Sequence, residues 1–170
     1  MALPVGHREG LPPRSRIVHD ALVGAGVEPA ITVLPSSART AAEAAAALGC
    51  EVGAIANSLV FMTVDDDGSR HPLLVMTSGR HRVDTTALAR RIGCSGISRA
   101  RPEEVRAATG QVIGGVAPIG HPDPLPTIID RTLAEHDQLW AAGGTPHTIF
   151  PLSYSELVAI TGGREEQVGD

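Results

Sequence analysis

The chain has 170 residues, 42% of them hydrophobic, with a mean hydropathy near zero, which suits one domain with a buried core. Aromatic residues make up 2% and there are two cysteines, Cys50 and Cys94, which excludes both an aromatic-built core and a disulfide framework. The net charge of −5 argues against generic nucleic-acid affinity, and no apolar run reaches the length of a membrane span.

The N-terminal stretch MALPVGHREGLPPR lacks the basic-then-apolar order of a signal peptide, so the expectation is a reduced, cytoplasmic protein. Residues 1–13 are polar and proline-rich and read as a flexible arm. A helix follows Ser15, with Ile17, Val18, Ala21 and Leu22 on one face and Gly24 and Gly26 at its end. AITVLP (30–35) reads as a short strand. Thr40 and Glu43 form a capping-box pattern before an alanine-rich helix that runs to Leu48, with Gly49 as its C-terminal stop.

VGAIANSLVFMTV (52–64) and HPLLVMTS (71–78), separated by the turn signal DDDGS, predict a hairpin. Asp84 caps a helix through Ile92 that Gly93 stops. Pro102 opens a short helix to Ala108, ended by Gly110. PTIID (126–130) and TIFPL (148–152) read as strands. Ser153 and Glu156 repeat the capping box before a last helix closed by Gly162 and Gly163, and 164–170 reads as a disordered tail. The domain itself is expected over 14–163. The fold class is α+β, with a mixed sheet covered by helices.

All 14 basic residues are arginine, and seven of them lie between Arg80 and Arg106 against three carboxylates. That segment carries +4 and the remainder −9. It reads either as a phosphate-facing patch or as a solvated helix face. The cysteines follow helix-ending glycines, away from the helix N-termini that favour thiolates, and read as inert. His121, Asp123, Asp130, His136 and Asp137 offer ligand atoms but no paired zinc spacing, so no metal is expected. No Gly-x-Ser-x-Gly elbow accompanies Ser58.

The densest local signal is GQVIGGVAPIGHP (110–122), with four glycines and two prolines. It lacks the spacing of a nucleotide-binding loop, and Pro118 deletes an N–H that a phosphate cradle needs. It is either a structural turn or a rigid wall whose backbone N–H groups stabilise negative charge on an ester oxygen.

These pieces occur in order. TAAEAA (40–45), IANSLVF (55–61), ATGQVIGGVAPIG (108–120), TIID (127–130) and AAGG…IFPLSYSEL (141–157) resemble the YbaK-like family of prolyl-tRNA-synthetase-associated editing domains across roughly residues 28–162. The resemblance implies a mixed, barrel-like sheet with flanking helices. It implies a free-standing aminoacyl-tRNA deacylase acting in trans on the 3′ end of a mischarged tRNA, without a cofactor or membrane, with a synthetase as a separate partner. The alternative is a non-catalytic module of the same fold that binds aminoacyl ends or nucleotides.

In that family a lysine stands where this chain has Asn57. The resemblance makes Asn57 and Gly115 the catalytic candidates. It assigns Ser58, Gly114, Val116, Ala117, Pro118, Gly120 and Asp130 to substrate binding, with Asp130 on the substrate's α-ammonium or bonded to the loop. Arg80, Arg82, Arg90 and Arg91 are the candidate tRNA contacts.

Overall fold

The computed structural model describes residues 4–169. Its elements are α1 (Pro13–Gly24), β1 (Thr32–Val33), α2 (Ala41–Leu48), β2 (Ala56–Val64), β3 (Arg70–Ser78), α3 (Thr85–Ile92), β4 (Gly96–Arg99), α4 (Pro102–Thr109), β5 (Thr127–Asp130), β6 (Leu139–Ala142), β7 (Thr148–Leu152), α5 (Tyr154–Thr161) and β8 (Arg164–Glu166). No helix of the described residues is long and apolar enough to cross a membrane.

The helix starts follow local chemistry. The side chains of Thr40, Asp84 and Ser153 accept the N–H groups of Glu43, Ala87 and Glu156, each three residues on. Glu156 returns the bond to the Ser153 N–H, completing a capping box. Pro102 occupies the first turn of α4, where its missing N–H costs nothing. Gly49, Gly93, Gly110 and Gly162 close their helices in left-handed conformation.

The fold is α+β with two sheets, and neither closes into a barrel. A five-stranded sheet runs in the order β4-β2-β3-β5-β8, and a three-stranded antiparallel sheet in the order β1-β7-β6. The hairpin β2–β3 is antiparallel from Ala56↔Ser78 to Val64↔Arg70, while β5 joins β3 in parallel. An isolated bridge between Ile55 and Trp140 connects the sheets where β2 begins.

The central strand β3 is buried on both faces, which is why it reads as the continuous apolar run Leu73-Leu-Val-Met76. Leu74 and Met76 face the larger core with Leu22, Ile129, Phe150 and Leu157. Leu73 and Val75 face a second core with Phe61, Leu88 and Ile128. That alternation is the period of two that a pleated strand imposes.

Several expectations change. The strand expected over 30–35 shortens to Thr32–Val33, and 52–64 splits into a 3-10 turn (Val52–Ala54) and β2. Strands β4, β6 and β8 were not anticipated. The N-terminal arm is docked over its described residues: Val5 bridges Thr32, the Gly6 N–H donates to the Ile31 carbonyl, and Leu11 is buried. The tail is likewise ordered over 164–169, because β8 pairs with β5 and Val168 fills the second core.

One polar knot ties β3 to β5. Asp130 is 1% exposed and accepts four hydrogen bonds. They come from the Ser78 N–H at 3.0 Å, the Thr132 N–H at 3.1 Å, the Thr132 hydroxyl at 2.7 Å and His81 Nδ1 at 3.0 Å. A buried carboxylate this well satisfied is stable in place, and removing it orphans every donor. Asp130→Ala is expected to cost about 3 kcal/mol of stability, measured by urea unfolding. A loss under about 0.5 kcal/mol, typical of a surface change, would contradict this role.

Candidate functional site

A cavity of about 40 Å³ opens where the two sheets approach each other. β2 contributes Ala56, Asn57 and Ser58, and the loop 110–122 contributes Gly114 and Val116. The start of α2 adds Arg39, Thr40, Ala41 and Ala44, while β6 and β7 supply Trp140, Ala142, Thr148 and Ile149. Ala56 and Ala142 sit where their strands can approach closely, and five alanines from α2, the segment before it and the strands (Ala38, Ala41, Ala44, Ala56 and Ala142) keep the walls smooth.

The loop wall is set by contacts within and behind it. Gln111 is only 2% exposed, and its side-chain Oε1 accepts the Ala117 N–H at 2.6 Å. From the other side, the Nε2–H of the neutral His121 ring donates to the Ala117 carbonyl at 2.8 Å. Both backbone polar groups of Ala117 are therefore held by side chains. Burial outweighs that hydrogen bond and lowers the His121 pKa from its ordinary value.

Two glycines make the wall possible. Gly114 has φ +90°, a conformation that L side chains rarely adopt. Gly115 packs so closely on the chain at Thr145 and Pro146 that an added Cβ would lie 2.5–2.7 Å from their backbone atoms. The Gly115 N–H bonds to the Val112 carbonyl. Those of Gly114 and Val116 have no acceptor among the described residues.

Of the residues singled out from sequence, Asn57, Ser58, Gly114 and Val116 line this cavity together. The Asn57 amide makes no hydrogen bond to the described residues and is partly exposed. The Ser58 hydroxyl donates to Met76 Sδ at 3.3 Å, so it has no base to activate it as a nucleophile. Gly115 and Ala117 stand behind the wall, buried. Pro118 and Gly120 line a different cavity of about 310 Å³ with His121 and Asp123.

Asp130 lies outside the lining. It holds neither the loop nor an open position for an ammonium, because its oxygens are occupied by Ser78, Thr132 and His81. Arg80, Arg82, Arg90 and Arg91 also lie outside it. Arg80 pairs with Glu135 at 2.5 Å, Arg91 donates to the Gln167 carbonyl, and Arg82 and Arg90 are exposed. Cys50 and Cys94 are free thiols, and burial raises the pKa of Cys50, as expected of an unreactive side chain.

Sequence reasoning missed Gln111, Arg39 and Trp140. Glutamine carries no mark of burial in a sequence, and the other two reach the cavity only through contacts distant along the chain. No titratable group other than Arg39 lines the cavity, so the available chemistry is that of backbone dipoles, one amide and the hydroxyls of Thr40, Ser58 and Thr148.

The comparisons with known proteins agree with one another. The family model for the aminoacyl-tRNA editing domain matches residues 35–160. A proline–tRNA ligase from Limosilactobacillus fermentum is 30% identical over 96 residues, which are 56% of this chain and 17% of the ligase. The chain thus spans less than a fifth of that relative. The protein EbsC of Enterococcus faecalis, described as a candidate Cys-tRNA(Pro)/Cys-tRNA(Cys) deacylase, is 24% identical over 129 residues, 76% of each chain. A solved structure described as a candidate trans-editing enzyme for prolyl tRNA synthetase is 41% identical, with a TM-score of 0.83 over 95% of this chain and 99% of that one.

Two outcomes follow from the Ala117 clamp. Gln111→Ala orphans a buried N–H and should cost about 2 kcal/mol while speeding hydrogen exchange at the Ala117 amide. Unchanged exchange there would contradict the clamp. His121 binds a proton less readily folded than unfolded, so its contribution to stability is present above pH 6.5, its ordinary value, and is lost as pH falls toward the lowered one. Thermal unfolding at pH 7 and pH 5 should therefore show a smaller acid loss in His121→Asn than in the parent; an equal loss would count against it.

Proposed function

The chain belongs to the aminoacyl-tRNA editing domain family, and on that premise we propose that it is an aminoacyl-tRNA deacylase acting in trans on mischarged tRNA. Water adds to the carbonyl carbon of the aminoacyl ester, the bond to the ribose oxygen breaks, and the free amino acid and the tRNA hydroxyl are released. The observation that carries this reading is that Gly114 and Val116, whose N–H groups have no acceptor among the described residues, line one small cavity together with the unengaged Asn57 amide.

The chemistry asks for orientation more than for strong acids or bases. An aminoacyl ester is already activated, and its attack by water develops negative charge on the carbonyl oxygen. The Gly114 and Val116 N–H groups are suited to stabilise that charge, and rigid donors need no reorganisation when it appears. Asn57 is suited to orient the attacking water or the terminal ribose. It is neutral, so its hydrogen bonds are roughly half as strong as a charged donor's. Gly115 contributes by letting the loop sit against Thr145 and Pro146.

Cavity size selects the substrate. The narrow space between Ala56, Ala142, Trp140 and Ile149 favours a small side chain over branched or aromatic ones. The tRNA body lies outside, and the exposed Arg82 and Arg90 are candidates to meet its phosphates, with a salt-sensitive and weak affinity. A synthetase in trans remains the partner that this reading expects.

A panel of mischarged tRNAs tests the proposal. Release is expected from tRNAs carrying small amino acids and not from those carrying leucine or phenylalanine. Asn57→Ala should lower kcat at least tenfold with little change in KM, since removing one donor to the transition state typically costs about 10²-fold or more. Tight binding of every member without release would instead identify a binding module.

A further inference from the structure

Arg39 is the one ionisable side chain in the cavity lining. It sits immediately before the cap of α2, exposed at the cavity's mouth. Its stem packs on the loop: a Cβ on Gly114 would lie 3.1–3.3 Å from its Cα, Cβ and Cγ. Its Nη1 donates to the Ile113 carbonyl at 3.4 Å, a long bond to a neutral acceptor. Arg8, Arg70, Arg80, Arg101 and Arg164 each pair with a carboxylate, but Arg39 pairs with none among the described residues. The nearby carboxylate of Glu43 is engaged by the Thr40 hydroxyl.

A guanidinium has five N–H donors in a planar fork that matches a phosphate, and at most one of these is used here. Its placement is fixed by packing, so little entropy is lost on contact. With an acyl group seated on Gly114 and Val116, the 5′ phosphodiester of the terminal nucleotide would be one nucleoside away from the loop that the Arg39 stem packs against. Among the residues that line the cavity, Arg39 is the one that carries a charge.

We propose that Arg39 is a substrate-binding residue that contacts the phosphodiester preceding the terminal adenosine, and so anchors the tRNA end in register with the loop. This rests on the deacylase reading above. The competing role is a strut that merely ties α2 to the loop through Ile113. The two roles differ in one respect: a phosphate contact is invisible to a substrate that has no phosphate.

The test compares the best-cleaved aminoacyl-tRNA with the matching 3′-aminoacyl-adenosine, in the parent, Arg39→Gln and Arg39→Lys. Arg39→Gln should lower kcat/KM for the tRNA about tenfold, the effect of losing one charge-assisted contact, and change the adenosine ester less than twofold. Its dependence of log kcat/KM on log salt should be shallower by about 0.7, one single-strand phosphate contact. Arg39→Lys should keep the parent slope.

Equal losses on both substrates with an unchanged salt slope would overturn the proposal and leave the strut. Binding of the trinucleotide CpCpA, read against adenosine, gives the same comparison without hydrolysis. A parent that binds CpCpA more tightly than Arg39→Gln does, yet releases no amino acid, would sink the deacylase reading and keep the phosphate contact. Equal affinity of the two proteins for CpCpA would overturn the contact.

Discussion

Everything that distinguishes this site hangs on the shape of a loop with almost no side chains, and that shape depends on the buried amide of Gln111. A glycine-proline segment has few contacts of its own to define it. Here a glutamine from the first turn of the loop reaches across to the Ala117 N–H, and His121 takes the carbonyl of the same residue. The N–H and the carbonyl of one residue are both held by side chains, one buried and one half-buried. The two residues before it, Gly115 and Val116, are then set by connectivity and by the close approach to Thr145 and Pro146. The loop is rigid because it is clamped, and the glycines only permit the approach.

The two sheets explain why the cavity lies where it does. β2 crosses from the bridge at Ile55 into the larger sheet, and β6 and β7 belong to the smaller one. The seam between them would be a packing defect if filled with ordinary side chains. Alanines at 56 and 142 leave room there, and the loop and α2 close the remaining sides. The result is small, narrow and uncharged inside, which strengthens any hydrogen bond made to a developing oxyanion. Charge is kept to the rim, on an arginine held by its own stem.

Local elements were legible in the sequence because their causes are local. Thr40, Asp84 and Ser153 announce helix starts through bonds spanning three residues, Pro102 does so through its fixed φ and missing N–H, and the run Leu73–Met76 announces a strand buried on both faces. The strands that escaped notice have no such pattern. Gly96–Arg99 carries one large apolar residue, Leu139–Ala142 is four residues long, and Arg164–Glu166 is entirely charged, held at a sheet edge by backbone pairing with β5. Family resemblance named the loop and the Asn57 strand as neighbours, and the cavity brings them together. It also drew attention to Asp130, whose partners instead make it a knot between β3 and the turn after β5. Arg39 was invisible for a plain reason: the atoms that hold it come from Ile113 and Gly114, more than seventy residues away.

The central claim is that the acyl group of the substrate lies against Gly114 and Val116, facing Asn57. A crystal structure with a non-hydrolysable, amide-linked aminoacyl-adenosine measures this most directly. The account predicts the carbonyl oxygen within about 3 Å of the Gly114 or Val116 nitrogen, the range of a real hydrogen bond, with the side chain between Ala142 and Trp140. The analogue bound instead in the cavity beside Pro118, Gly120 and His121, with the Asn57 pocket empty, would contradict it.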